Sequence, residues 1–144
     1  MKTGIIRYPG SNCDYDTLKY FDNSFFIWHT ETVLPTIDLL IIPGGFAFGD
    51  RIYNKATDNY SISPGEMAIK SPVTNLIFKA VEKKIPILGI CNGFQILTQM
   101  NLLPGKLLLN DCKKFICKKV KCNIKYEKIS ENVELYIANS YGKY

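Results

Sequence analysis

Histidine is almost missing from this sequence. One residue in 144, His29, carries an imidazole, so a cysteine nucleophile would find a single base of the usual kind within the chain. Long apolar runs are missing too. None approaches the roughly 18 residues that a membrane span needs, and the opening MKTGIIRYPG is interrupted too early for a secretory signal. The expectation is a cytoplasmic protein without a membrane segment. Cysteine is present but odd in number, at 13, 91, 112, 117 and 122, which argues against a disulfide framework. The last three are spaced C-x4-C-x4-C, a pattern that matches no common zinc or iron–sulfur site. No metal is expected.

What is present is ordinary for a globular chain: 47% hydrophobic and 22% charged residues over a length that suits a single domain. The net charge of +5 is uneven, because residues 106–144 hold nine Lys/Arg against four Asp/Glu while the preceding stretch is balanced. A basic end can signal nucleic acid. Here Val120, Cys122, Ile124 and Tyr126 alternate with Lys119, Lys121, Asn123 and Lys125, which reads as a half-buried strand with a solvated lysine face. No nucleic-acid partner is expected.

Strand and helix signals alternate along the chain. TGIIRY (3–8) and FFIWH (25–29) read as strands, and Ser11, Asn12 or Asp14 can cap a short helix between them. IDLLIIPGG (37–45) and IPILGI (85–90) are apolar runs of the kind buried on both faces. Between them, residues 50–70 read as an inserted surface loop, and SPVTNLIFKAVEKK as a helix capped by Ser71 with Pro72 first. Its apolar face is Val73, Leu76, Ile77, Ala80 and Val81. NGFQILTQM continues as a helix, LLPGK (102–106) breaks the chain, and two or three strands finish it. The fold class is therefore α/β: an open, mostly parallel sheet with helices on both faces and expected strand order 2-1-3-4. Such sheets bind ligands at the carboxyl ends of their strands, where RYPGSNCD, PGGFAFGD and GICNGFQ all fall.

LGICNGFQ (88–95) carries the chemistry. Gly89 and Gly93 flank Cys91 two residues away on either side, as a tight strand-to-helix turn requires when it presents a nucleophile. The first turn of the helix offers free N–H groups and a positive dipole end, which favours thiolate. The N–H of Asn92 can donate to an oxyanion, and Gly45 can supply a second donor from the glycine pair after the third strand. This is a constellation for acyl transfer through a thioester.

The sequence resembles the glutamine amidotransferase subunit family of phosphoribosylformylglycinamidine synthase, a class I amidotransferase. The resemblance rests on PGSNCDYD (9–16), WHTET (28–32), LLIIPGGFAFGD (39–50), PILGICNGFQILTQMNLLPG (86–105) and FIC (115–117). It implies that Cys91 attacks the glutamine carboxamide, that Gly45 and Asn92 form the oxyanion hole through their backbone, and that Gly44 and Gln95 hold the glutamine. It further implies that ammonia passes to a separate synthetase subunit in purine biosynthesis, with a small accessory subunit as a further partner. ATP and magnesium would sit on that synthetase, and this chain would carry no cofactor.

The sequence departs from the family in its last third. The family completes its triad with a histidine and a glutamate in a Pro-His-Pro-Glu segment, which these 144 residues do not contain. IANSYGKY (137–144) stands where the family usually has Ala-His-Gly-Glu-Gly, so that Asn139 and Tyr141 replace a histidine and a glutamate. His29 does not substitute: three strand spacings separate it from Cys91, roughly 14 Å, against the 3.2 Å or so that a base must reach. Three accounts follow: a truncated glutaminase, a short subunit that borrows a base or only scaffolds its synthetase, or the product of a decaying gene. A missing last strand or helix would expose a sheet edge and apolar surface. The isolated chain is accordingly expected to be poorly soluble or partner-dependent, and a cooperative monomeric melt at micromolar concentration would contradict this.

Overall fold

Four short apolar segments pair side by side in parallel. They are β1 (Thr3–Arg7), β2 (Ser24–Trp28), β3 (Leu39–Ile42) and β4 (Ile87–Gly89), in the order β2-β1-β3-β4. The register sets Ile5 opposite Phe26 on one side and Ile41 on the other, and Ile42 opposite Gly89. Parallel neighbours need a crossover. The helix α1 (Asp14–Tyr20) lies between β1 and β2, α2 (Val73–Glu82) between β3 and β4, and α3 (Asn92–Gln99) follows β4. The structure, a computed structural model, describes residues 1–45 and 68–144. The expected insertion therefore lies, apart from 68–70, outside the described residues. Contacts divide the described chain into two units, Met1–Lys106 and Leu107–Tyr144.

In the first unit one apolar cluster joins sheet and helices. Ile6, Leu40 and Ile42 meet Val73, Leu76, Ile77 and Ala80 of α2 and Ile96 and Leu97 of α3. Each such side chain contributes about 1.5–3 kcal/mol when it leaves water. The stripe on α2 is the expected one with one correction: Val81 is 44% exposed, because it falls at the margin of the helix's inward arc. Neither helix is capped as the sequence suggests. Pro72 occupies the N-cap of α2 and no side chain caps it, because the N–H of Val73 donates to the His29 carbonyl at 3.1 Å. At α1 the N-cap is Cys13, again without a side-chain cap. Ser11 is used elsewhere, its Oγ accepting from the Tyr8 N–H at 3.2 Å. Asp14 sits inside the first turn and accepts from the Tyr15 N–H at 2.9 Å.

The expectation that IPILGI is buried on both faces is also corrected. Strand β4 ends the sheet, and Leu88 and Ile90 are 44% and 40% exposed. An apolar run records how much burial a segment can use, and the edge position determines how much it receives.

Arg7, at the end of β1, organises the opposite side of the sheet. Its Nε pairs with Asp14 Oδ2 at 2.7 Å, the aspartate side chain being almost wholly buried. Its guanidinium lies over the rings of Tyr15, Phe26 and Trp28 at 4.8, 4.9 and 5.4 Å. A planar cation suits such a box better than a lysine would, since it can stack and donate together.

The second unit is a two-stranded antiparallel ribbon of β5 (Ile116–Tyr126) and β6 (Ile129–Asn139). The alternation expected for 119–126 is the register observed. Val120 faces Leu135 and Cys122 faces Val133 on one side, with Lys119, Lys121 and Lys125 on the other. Ile124 and Tyr126 are nonetheless 48% and 68% exposed, because a ribbon of two strands has no second layer of its own. Asn110 fixes the base of the ribbon. Its amide donates to the Lys114 and Asn139 carbonyls at 3.1 and 2.9 Å, and its oxygen accepts from the Gly142 N–H at 3.0 Å. Among the described residues, no helix is long and apolar enough to cross a membrane.

Two substitutions separate the forces in the first unit. Leu76→Ala is expected to destabilise by about 3 kcal/mol through lost burial and a residual cavity. Arg7→Ala should remove about 1–2 kcal/mol, discounted because the guanidinium is partly in water. Denaturant midpoints at unchanged slope would establish both, and equal stability of Arg7→Ala and the parent would show the box to be decorative.

Candidate functional site

Three turns at the carboxyl ends of β1, β3 and β4 supply the candidate residues. After β4 the chain reverses into α3 within two residues. The Ile90 N–H donates to the Ile42 carbonyl at 3.0 Å, and the Gly93 N–H donates to the Ile90 carbonyl at 2.8 Å. Cys91 is the N-cap of α3, with φ 50° and ψ −103°. A residue bearing a side chain rarely adopts this conformation, and it persists only where the surroundings impose it.

The surroundings impose it through two glycines. A β-carbon on Gly93 would collide with the Ile42 carbonyl oxygen. One on Gly89 would lie 2.9 Å from the backbone of Gly93 and 2.7 Å from Leu97 Cδ1. Strand end and helix start thus touch backbone to backbone, and the residue between them is pushed outward. Cys91 is exposed, as the glycine spacing in the sequence predicts.

Gly44 and Gly45 follow β3 and lie beside it. A β-carbon on Gly44 would be 3.5 Å from that of Cys91 and 3.4 Å from the Ile90 carbonyl oxygen. Glycine keeps this space open next to the thiol. Gly45 has φ +136°, a conformation open in practice to glycine alone. The structure therefore brings Gly44 against Cys91 and sets Gly45 next in the same turn. The rest of that motif, residues 46–50, lies outside the described residues.

Asn92 and Gln95 follow Cys91 on α3, and both are buried. The Asn92 amide donates to Gln95 Oε1 at 3.2 Å, which fixes the two carboxamides against each other one turn apart. His29 is not brought to the site. It follows β2, with β1 and β3 between it and the cysteine's strand. Its N–H donates to the Arg7 carbonyl at 3.0 Å, and its ring contacts Trp28. The three cysteines of the last stretch do not converge either. Cys117 and Cys122 stand five positions apart on β5, an odd separation that sends them to opposite faces. Among the described residues no three His, Cys, Asp or Glu side chains gather as for a metal ion.

One neighbour was not foreseen. Asn12, which the sequence offers as a helix cap and places in RYPGSNCD at the ligand-binding end of the sheet, lies with its carboxamide oxygen close enough to Gly45 to collide with a β-carbon there. Cys13 follows it, and its thiol pKa is raised by burial first, then by Asp16, by Cys91 and by Asp14. The turn after β1 is thus within electrostatic reach of the nucleophile. A polar residue at a strand's carboxyl end was the available signal, but its partner lies 33 positions away.

Known proteins resemble this chain in sequence and in fold. Residues 1–136 match the model of the CobB/CobQ-like glutamine amidotransferase domain. The phosphoribosylformylglycinamidine synthase subunit PurQ of Zymomonas mobilis is 36% identical over all of this chain and 67% of its own length. The PurQ subunit of Methanosphaera stadtmanae is 39% identical over all of this chain and 66% of its own. For the PurQ subunit of Cereibacter sphaeroides the figures are 39% identity, with 86% and 54% covered. The chain thus spans between half and two-thirds of the length of these relatives. A chain in the structure of PurLQS from Thermotoga maritima superposes with a TM-score of 0.81 at 32% identity, over 98% of this chain and 67% of that one. The chain belongs to the CobB/CobQ-like glutamine amidotransferase family and, within it, groups with the PurQ subunits.

Proposed function

We propose that this chain supplies the nucleophile and the oxyanion donors of a glutaminase that feeds ammonia to formylglycinamide ribonucleotide amidation in de novo purine biosynthesis. The observation that carries the reading is the exposed Cys91 at positive φ, set between Gly89 and Gly93 and against Gly44. In this reading the Cys91 sulfur adds to the side-chain carboxamide carbon of glutamine, and the carbonyl electrons move onto oxygen. The backbone N–H groups of Gly45 and Asn92 stabilise that oxyanion. Collapse of the adduct expels ammonia once its nitrogen is protonated and leaves a glutamyl thioester. Water then attacks the thioester, releasing glutamate and restoring the thiol.

Gly44 leaves room for the substrate beside the sulfur. Gln95 contributes through its carboxamide, already oriented by Asn92. In this reading the proton transfers use a general base other than His29, supplied by the partner chain. ATP and magnesium belong, in this proposal, to the partner synthetase, with which the chain works in the cytoplasm alongside a small accessory subunit. Support for the partner comes from the solved neighbour, which belongs to a PurLQS structure. A subunit that binds glutamine or the synthetase without turnover is the second reading, favoured by Asn139 and Tyr141 at the positions named above.

Glutamate release from glutamine, measured for the chain alone and with the synthetase subunit, separates the two. Turnover that vanishes in Cys91→Ala supports the glutaminase, whereas binding without turnover in either mixture supports the silent subunit. A glutamine-analogue electrophile should label Cys91 and spare the other four cysteines, and equal labelling of all five would sink the proposal. Two glycine variants probe the elbow. Gly93→Ala should destabilise the fold by about 3 kcal/mol, since neither backbone can yield. Gly44→Ala, which meets only ordinary contacts at 3.4 Å and beyond, should fold normally and yet slow the labelling of Cys91. A Gly44→Ala protein labelled at the parent rate would show that the substrate does not enter beside that glycine.

A further inference from the structure

The glycine pair after β3 poses a problem that the elbow does not solve. Two consecutive glycines are the least restrained peptide a chain can contain. A flip of the peptide between Gly44 and Gly45 would exchange an N–H for a carbonyl oxygen. An oxyanion would then face an acceptor in place of a donor, and preorganised donors are what make such a hole effective. Something must hold that peptide in one orientation.

The turn after β1 offers what is needed. A β-carbon on Gly45 would collide with the Asn12 carboxamide oxygen and would stand 3.2 and 3.4 Å from the Asn12 backbone nitrogen and Cγ. Asn12 is itself held from both sides. Before it, the turn is closed by the Ser11 N–H donating to the Tyr8 carbonyl at 3.1 Å and the Tyr8 N–H donating to Ser11 Oγ at 3.2 Å. After it, Cys13 begins α1, and the Thr17 N–H and hydroxyl both donate to the Cys13 carbonyl, at 3.2 and 2.7 Å. On the other side of the pair, Gly44 abuts Cys91. The order in space is therefore Asn12, Gly45, Gly44, Cys91.

We propose that Asn12 is a positioning residue of the oxyanion hole: seated against Gly45, its side chain holds the peptide between the two glycines with the N–H turned toward the oxygen of the adduct formed at Cys91. The proposal rests on the glutaminase reading and deepens it. It makes no claim that Asn12 touches substrate.

The test compares two reagents on the full chain with its synthetase subunit present. The aldehyde analogue of glutamine is captured reversibly, as the Cys91 thiolate adds to its carbonyl carbon, the electron pair moves to oxygen, and nothing leaves. That oxyanion needs the hole. Iodoacetamide is attacked by the same sulfur with loss of iodide, and no oxyanion forms. Asn12→Ala should weaken aldehyde capture by about tenfold while Cys91 alkylation, followed peptide by peptide by mass spectrometry, stays within about twofold. Asn12→Ser, a smaller change to the fold that still withdraws the contact, should show the same split. Aldehyde affinity unchanged in both variants, with the parent binding normally, would overturn the role of Asn12 and leave the glutaminase intact. Equal loss toward both reagents would also overturn it, because Asn12 would then hold up the turn as a whole. A parent chain that captures no aldehyde would remove the glutaminase reading and this one with it.

Discussion

The contact between Gly93 and the carbonyl of Ile42 is the constraint on which the rest of the site depends. The first turn of α3 can rest on the end of β3 only if position 93 carries no side chain. Once it does, the chain has two residues in which to leave β4 and enter the helix, and the second of these is forced to positive φ. The Ile42 carbonyl also receives the Ile90 N–H, so one oxygen both continues the sheet and bounds the helix. The exposure of the thiol follows from this packing of backbone on backbone.

The sheet then divides the molecule by function. Its centre carries isoleucine and leucine and anchors α2 and α3, while the carboxyl ends of β1, β3 and β4 carry Asn12, Gly44, Gly45 and Cys91. Strand order keeps β2, with Trp28 and His29, away from that row. There Trp28 stacks with Arg7, and the backbone carbonyl of His29 receives the start of α2. A lone histidine in a chain with a nucleophilic cysteine invites pairing, but topology refuses it.

Local features of the site were legible in the sequence, and so were the strand order and the sheet end at which the three turns meet; particular contacts between distant side chains were not. The spacing of Gly89, Cys91 and Gly93 lies within five residues, and a short-range steric rule suffices to read it. The buried stripe of α2 was equally plain from its period. Misreadings arose wherever a second segment decides the outcome. Leu88 and Ile90 read as doubly buried from their apolar run alone, although the expected strand order already sets β4 at an edge. Ser11 and Ser71 looked like caps, but one is engaged by Tyr8 and the other is displaced by the His29 carbonyl. Asn12 carries no mark of its neighbour because the contact with Gly45 joins two turns through space.

The conformation of Cys91 bears on how such a residue survives. A side-chain-bearing residue held at positive φ costs the folded chain about 1–3 kcal/mol, and glycine would relieve most of that. Replacing Cys91 by glycine would therefore make the fold sturdier while removing the thiol. A cysteine at this position therefore sets the stability of the elbow against the presence of its thiol.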